Sequence, residues 1–151
     1  MIELGKKQTL QVVKKVEFGV YLGEDGENER VLLPGKQVPE GTEMGDRLEG
    51  FIYKDSADRM IATTRVPFIT LHQTALLTVA EVGKIGAFLN WGLEKDLLLP
   101  FREQTKRVQV GQQVLVGLYI DKSSRLCATM KVYPYLKQNS PYVLGDEVEG
   151  R

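Results

Sequence analysis

Two stretches of this chain are copies of one another, and that duplication constrains the fold more than any other feature. Phe18-Gly19-Val20-Tyr21-Leu22 recurs as Ile85-Gly86-Ala87-Phe88-Leu89, an offset of 67. Val31-Leu32-Leu33-Pro34 recurs as Leu97-Leu98-Leu99-Pro100, an offset of 66. Gly45 matches Gly111, Tyr53 matches Tyr119, and the run Asp55 to Thr63 matches Asp121 to Thr129 in the same register. One residue of loop length is the only change across the repeat. Apolar strands match by chance often; glycine, Leu-Leu-Pro, Tyr-x-Asp and Arg-x-x-Ala-Thr in one register do not.

Each copy is a series of short apolar runs separated by turn residues. In the first, Thr9 to Val13, Phe18 to Leu22, Val31 to Leu33, Asp46 to Tyr53 and Met60 to Val66 read as strands, with Lys14-Lys15 as a polar step after the first. Gly23 to Arg30 is a polar connection, and Lys36 to Gly45, carrying Pro39, Gly41 and Gly45, holds no long helix. Five strands in so few residues bury a small core, so the exposed sheet edges must be removed by closure. The expectation is all-β: two five-stranded OB-type barrels in tandem. The predicted domains are 1–67 and 74–136, with 67–74 as a connector. The tail 142–151 (YVLGDEVEGR) is predicted to be the first strand of a third, truncated unit.

Gly19 and Gly86 suit a strongly bent second strand in which two backbones approach closely. Strict alternation puts Phe18, Val20 and Leu22 on one face and Tyr21 on the other. A bulge at the glycine would instead turn Phe18 and Tyr21 outward together.

Lys plus Arg is 20 and Asp plus Glu is 20, so no basic excess announces a dominant phosphate-binding surface. The chain has one His, His72, and one Cys, Cys127. It shows no paired-carboxylate, Ser–His or Cys–His motif, no zinc spacing and no phosphate-binding glycine loop, so neither catalysis, a metal nor a cofactor is expected. A lone Cys in an apolar run suits a buried hydrophobe and a reducing, cytoplasmic compartment. No apolar run approaches the roughly 18 residues that span a bilayer, and no membrane partner is expected. The chain is expected to be monomeric.

These residues resemble tandem S1 domains, the OB-fold RNA-binding module. The second strand of that family has the form Phe-Gly-Ala-Phe-Val. Its Gly-Asp-x-Val-x-Gly pattern is close to Gly45-Asp46-Arg47-Leu48-Glu49-Gly50 and to Gly145-Asp146-Glu147-Val148-Glu149-Gly150. More narrowly, the Leu-Leu-Pro strands and the start of a third unit resemble the bacterial virulence-factor-B (YitL-like) proteins, which implies further S1-like and winged-helix domains in a longer parent chain. The resemblance implies a binding face made of two second-strand aromatics, a third-strand His, and an Asp and an Arg around the last hairpin. Carried over, these fall on Phe18, Tyr21, Asp55 and Arg59 in the first repeat, and on Phe88, Asp121 and Arg125 in the second. The His position falls on Leu33 and Leu99, so it is missing twice. Trp91, in the loop after Phe88, either stacks on a base or caps the barrel end. Asp55 and Asp121 also suit plain turn residues, and Glu24 to Glu29 places acid beside the face.

Two functions follow as expectations. One is weak binding of single-stranded RNA, or single-stranded DNA, within a gene-expression regulator involved in virulence. The other is a protein-interaction or spacer module whose barrels have lost RNA binding. In the first case the first repeat, at Phe18 and Tyr21, should carry more of the binding than the second.

Overall fold

The computed structural model describes residues 2–24 and 26–132; the expected third unit at 142–151 lies outside the described residues. The chain divides after Pro67 into two compact units, each of five strands. The first contains β1 (Lys7–Val16), β2 (Gly19–Gly23), β3 (Arg30–Pro34), β4 (Arg47–Lys54) and β5 (Met60–Thr63). They close into a barrel in the order β1-β2-β3-β5-β4, antiparallel except for the parallel pair β3–β5. The second contains β6 (Thr74–Val82), β7 (Gly86–Asn90), β8 (Leu97–Pro100), β9 (Gln113–Ile120) and β10 (Leu126–Thr129). Their order is β10-β9-β6-β7-β8, and the outer strands β8 and β10 run close beside each other, the place where β3 and β5 pair in the first unit. The fold is all-β, two five-stranded barrel-like sheets of the OB type. The only helical pieces among the described residues are two single turns, Gly35–Gln37 and Phe101–Glu103, so no helix there is long and apolar enough to cross a membrane.

Alternation along each strand builds the two interiors. In the first unit Leu10, Val12, Val20, Leu22, Val31, Leu33, Ile52 and Ala62 point inward. In the second, Leu77, Val79, Ala87, Leu89, Leu97, Leu99, Leu118 and Ala128 take the equivalent places. Burying each of the larger side chains contributes roughly 1.5–3 kcal/mol.

Three local findings depart from simple alternation. First, β1 does not stop at Lys14-Lys15 but runs through them, because the bulge sits at Val13 and not at Gly19: Val12 pairs with Leu22 and Lys14 with Tyr21. β6 repeats the device at Ala80, with Val79 opposite Leu89 and Glu81 opposite Phe88. Each inserted residue switches the following residue onto the outer face. Second, Phe18 lies in the two-residue turn between Val16 and Gly19, and the Phe18 carbonyl accepts the Gly35 N–H at 2.9 Å. It is therefore not bound by the parity of β2, and it faces solvent while Val20 and Leu22 are buried. Third, β5 ends at Thr63 rather than Val66. There Thr63 Oγ1 accepts the Arg65 N–H and donates to Gln37 Oε1, taking over from the ladder.

Of the expected connector 67–74, Phe68 onward belongs to the second unit. Phe68 N–H donates to the Trp91 carbonyl, His72 N–H to Leu118, and Leu118 N–H to Gln73.

Gly19 and Gly86 are where β2 and β7 pass over the ends of β3 and β8. Their φ values are 153° and 152°, and a Cβ at either would fall inside van der Waals contact with the carbonyl oxygen of Leu33 or Leu99. Gly19→Ala and Gly86→Ala are each expected to destabilise their own barrel by about 1–3 kcal/mol. The check is urea unfolding. Gly35→Ala, whose Cβ would meet nothing nearer than 3.5 Å, should shift stability by no more than about 0.5 kcal/mol.

Candidate nucleic-acid interface

The register of the first barrel lines up one row of outward side chains across neighbouring strands. Lys14 pairs with Tyr21, Tyr21 with Leu32, Leu32 with Ile61, and Ile61 with Tyr53. Lys14 is exposed, Tyr21, Leu32 and Ile61 are half-buried, and Tyr53 is buried and stacked on Phe51 at 6.4 Å between ring centres. The row is therefore an aromatic ring beside two aliphatic side chains, with a cation at its open end. Two residues along β3 on the same face is Arg30, opposite Gly23. The missing Cβ of Gly23 lets the Arg30 stem lie close over the strand. Phe18, 60% exposed, stands at the turn that enters β2.

The expected His position needs correction. Leu33 and Leu99 are fully buried and face the interior. The third-strand residues on the outer face are Leu32 and Leu98, opposite Tyr21 and Phe88. The two consecutive leucines are chemically alike, and only the strand register tells which one faces out.

Trp91 also needs correction as a stacking residue. It is 2% exposed and its Nε1–H donates to the Lys95 carbonyl at 2.6 Å. The indole is buried, and its face is not offered to a base.

Asp55 and Asp121 organise the last hairpin of each barrel. Asp55 Oδ1 accepts the N–H groups of Ala57 and Arg59 at 2.9 and 3.0 Å, and Oδ2 pairs with the Arg59 guanidinium at 3.1 Å. Asp121 Oδ1 accepts the N–H groups of Ser123 and Arg125 at 2.8 and 3.0 Å. The carboxylates thus hold a turn in which Asp58 and Ser124 adopt left-handed φ near 60°. Arg59 and Arg125 remain exposed at the hairpin tips, beside the outer face.

In the first repeat, Glu24 and Glu27 border an open polar depression with Thr9, Gln11, Gly23 and Arg47. Glu29 Oε1 accepts the Ile2 N–H at 3.0 Å. The acidic loop leans toward β1 and β4, not over Tyr21.

The second barrel repeats the row with different chemistry: Glu81 opposite Phe88, Phe88 opposite Leu98, then Cys127 opposite Tyr119. Burial, then the nearby Asp121 carboxylate, pushes the Cys127 thiol up to about 12, so it is a protonated, unreactive thiol at neutral pH. Its Sγ lies 3.5 Å from Asp121 Oδ2. The Tyr119 hydroxyl is also pushed up to about 12, chiefly by burial.

Lys14 and Arg30 belong to the face although strand-by-strand reading leaves them in a polar step and a polar connection. The visible signal for Lys14 is its position two residues beyond the last core position of β1, which makes sense on the face only with the bulge. Arg30 is two residues before Leu32 and shares its parity.

A closed five-stranded barrel of this topology, with an aromatic second strand on its outer face, defines the OB class. The S1 domain family matches residues 4–65 and 73–131, and the chain belongs to that family. It is 34% identical to the protein YitL of Bacillus subtilis over 63% of this chain and 32% of that protein. It is 24% identical to conserved virulence factor B of Staphylococcus saprophyticus over 98% of this chain and 51% of that protein. Among solved structures, a crystal structure of a multidomain protein with nucleic acid binding domains from Streptococcus pneumoniae superposes with a TM-score of 0.72. That match is 20% identical and covers 89% of this chain and 48% of that one. The chain spans about half the length of the virulence-factor-B relatives, and its match to YitL covers about a third of that protein.

Burial raises the Asp55 carboxyl, but the Arg59 and Ala57 N–H bonds and the Arg59 charge outweigh it and hold it below its ordinary value. The ionised form is thus favoured in the folded chain. Its stabilisation is complete above the ordinary carboxylate pKa of about 4 and fades as pH falls through the lower folded value. Asp55→Ala is expected to cost about 1–2 kcal/mol at neutral pH, with the gap to the parent narrowing in acid below about pH 4. Thermal melts of both proteins across that range check it.

Proposed function

We propose that the chain binds single-stranded RNA with low sequence specificity, through the outer face of its first barrel, as part of a gene-expression regulator. The observation that carries this reading is the row Lys14–Tyr21–Leu32–Ile61, flanked by Arg30, Arg59 and Phe18. Tyr21 and Phe18 offer ring faces to bases. Leu32 and Ile61 provide an apolar floor, and Lys14, Arg30 and Arg59 provide phosphate contacts on either side. S1 family membership and the nucleic-acid-binding domains of the pneumococcal relative support the same reading.

Stacking contributes roughly 1–3 kcal/mol per base. Two rings therefore supply about 2–6 kcal/mol, equivalent by themselves to dissociation constants from tens of millimolar to tens of micromolar, roughly. The absence of an outward His at the Leu32 position removes a donor and a stacking ring, in keeping with weak, sequence-tolerant recognition. Asp55 acts through Arg59: it fixes the hairpin that presents the guanidinium.

The second barrel keeps Phe88 and Arg125 but replaces Lys14 by Glu81, Arg30 by Asp96 and Phe18 by Ile85. Its share of RNA binding is correspondingly small.

Fluorescence titration of labelled poly-pyrimidine RNA with the whole chain tests the proposal. Low-salt binding is expected to fall about tenfold or more on Tyr21→Ala. Lys14→Ala with Arg30→Ala should flatten the log–log salt slope by about 1.4, roughly 0.7 per lost contact. Absence of low-salt binding overturns the function, and binding that survives Phe18→Ala with Tyr21→Ala overturns the site. Equal titration by the matching single-stranded DNA shows that no 2′-hydroxyl is read.

A further inference from the structure

The outer faces of the two barrels share their apolar parts and invert their charges. Tyr21 and Leu32 become Phe88 and Leu98, an aromatic opposite a leucine in both. The cation opposite the ring, Lys14, becomes Glu81. The cation at the start of the third strand, Arg30, becomes Asp96. The last-hairpin arginine is common to both, so Glu81 and Asp96 make the difference. Lys84 and Lys95 stand where the first repeat has Glu17 and Glu29, in the turns before β7 and β8, and Asp96 follows Lys95 at the entry to β8. Burial, and then the charge of Glu81, raise the Asp96 carboxyl above its ordinary value, so the two carboxylates feel each other across this face.

We propose that the Phe88–Leu98 face of the second barrel is a docking site for a cationic protein segment bearing Arg or Lys, not for nucleic acid. A basic side chain suits each part of it. Its methylene stem lies on the half-buried Phe88 and Leu98, its head approaches the ring face, and Glu81 with Asp96 supplies the counter-charge that the apolar floor lacks. The same unit already makes such a contact within itself, with the Arg107 guanidinium 4.7 Å from the centre of the Phe101 ring. A phosphate backbone meets the reverse situation, two carboxylates at the positions where the first barrel offers two cations, and like charges at an interface select against that partner.

The test uses the whole chain, an Arg-Gly repeat peptide as probe and amide NMR as readout. Peptide-induced shifts are expected at Glu81, Phe88 and Leu98, with none of comparable size at Tyr21 and Leu32. Glu81→Lys with Asp96→Arg, which copies the charges of the first barrel, should weaken the peptide about tenfold or more. The same variant should let poly-pyrimidine RNA shift Phe88 more strongly than it is expected to in the parent. Glu81→Gln with Asp96→Asn, which keeps size and hydrogen bonding, should weaken the peptide in the same direction. That milder pair carries the test if the charge-reversed variant does not fold. Peptide shifts centred on Tyr21, no shifts at all, or affinity unchanged in the neutralised variant overturn the proposal. So does displacement of the peptide from Phe88 by RNA in the parent chain. Because the readout is Phe88 and its neighbours, failure here is distinct from failure of RNA binding at Tyr21.

Discussion

The close passage of one strand over another at a glycine is the contact on which each barrel depends. Gly19 lies over the Leu33 carbonyl and Gly86 over the Leu99 carbonyl, with no room for a Cβ in either place. That approach lets β2 bend around the core and pair along its whole length with β3, from Gly19–Pro34 to Gly23–Arg30. Pairing of β3 with β5 then removes the last edge. Without the bend, the sheet would open and the row from Lys14 to Ile61 would not exist as one surface. The Pro34 and Pro100 that follow each leucine pair end the strand where the glycine crosses it.

Much of this architecture was legible in the chain. The duplication gave the two units, and short apolar runs between turn residues gave the strands, because period-two burial is written residue by residue. The glycine's need for close approach was legible too. What escaped was everything that depends on counting across a partner strand. Val13 has no composition that marks it as a bulge, and its effect appears only when Lys14 is found opposite Tyr21. Phe18 looks like a strand residue, yet the turn takes it out of the alternation. Leu32 and Leu33 are identical in type and opposite in fate. Trp91 suits stacking or, somewhat better, capping, and it is buried with its indole N–H on the Lys95 carbonyl.

The acidic hairpin residues show the same lesson from the other direction. Asp55 and Asp121 suit both a binding role and a turn, and the turn is what their hydrogen bonds show. The carboxylate is occupied by backbone N–H groups, and by holding them it fixes where the following arginine emerges. Because a carboxylate committed in this way has little capacity left for a ligand, any contribution it makes to recognition passes through its neighbour. Charge balance was misleading in a related way. A net charge of zero says nothing of a chain whose two halves place opposite signs at equivalent surface positions.

The single inserted residue in β1, and its twin in β6, has a consequence for how such a surface changes over generations. Which side chains reach the outside beyond that point is set by the pairing with β2, not by residue type. Loss of Val13 alone would leave Val12 opposite Leu22 and Lys14 opposite Tyr21 as consecutive pairs, so the ladder would become regular with the same side chains facing outward. Substitutions at the facing positions likewise leave the frame untouched. The duplicated unit thus tolerates both loss of the inserted residue and exchange of charge. That combination lets the two barrels differ in the charges they present while keeping one frame.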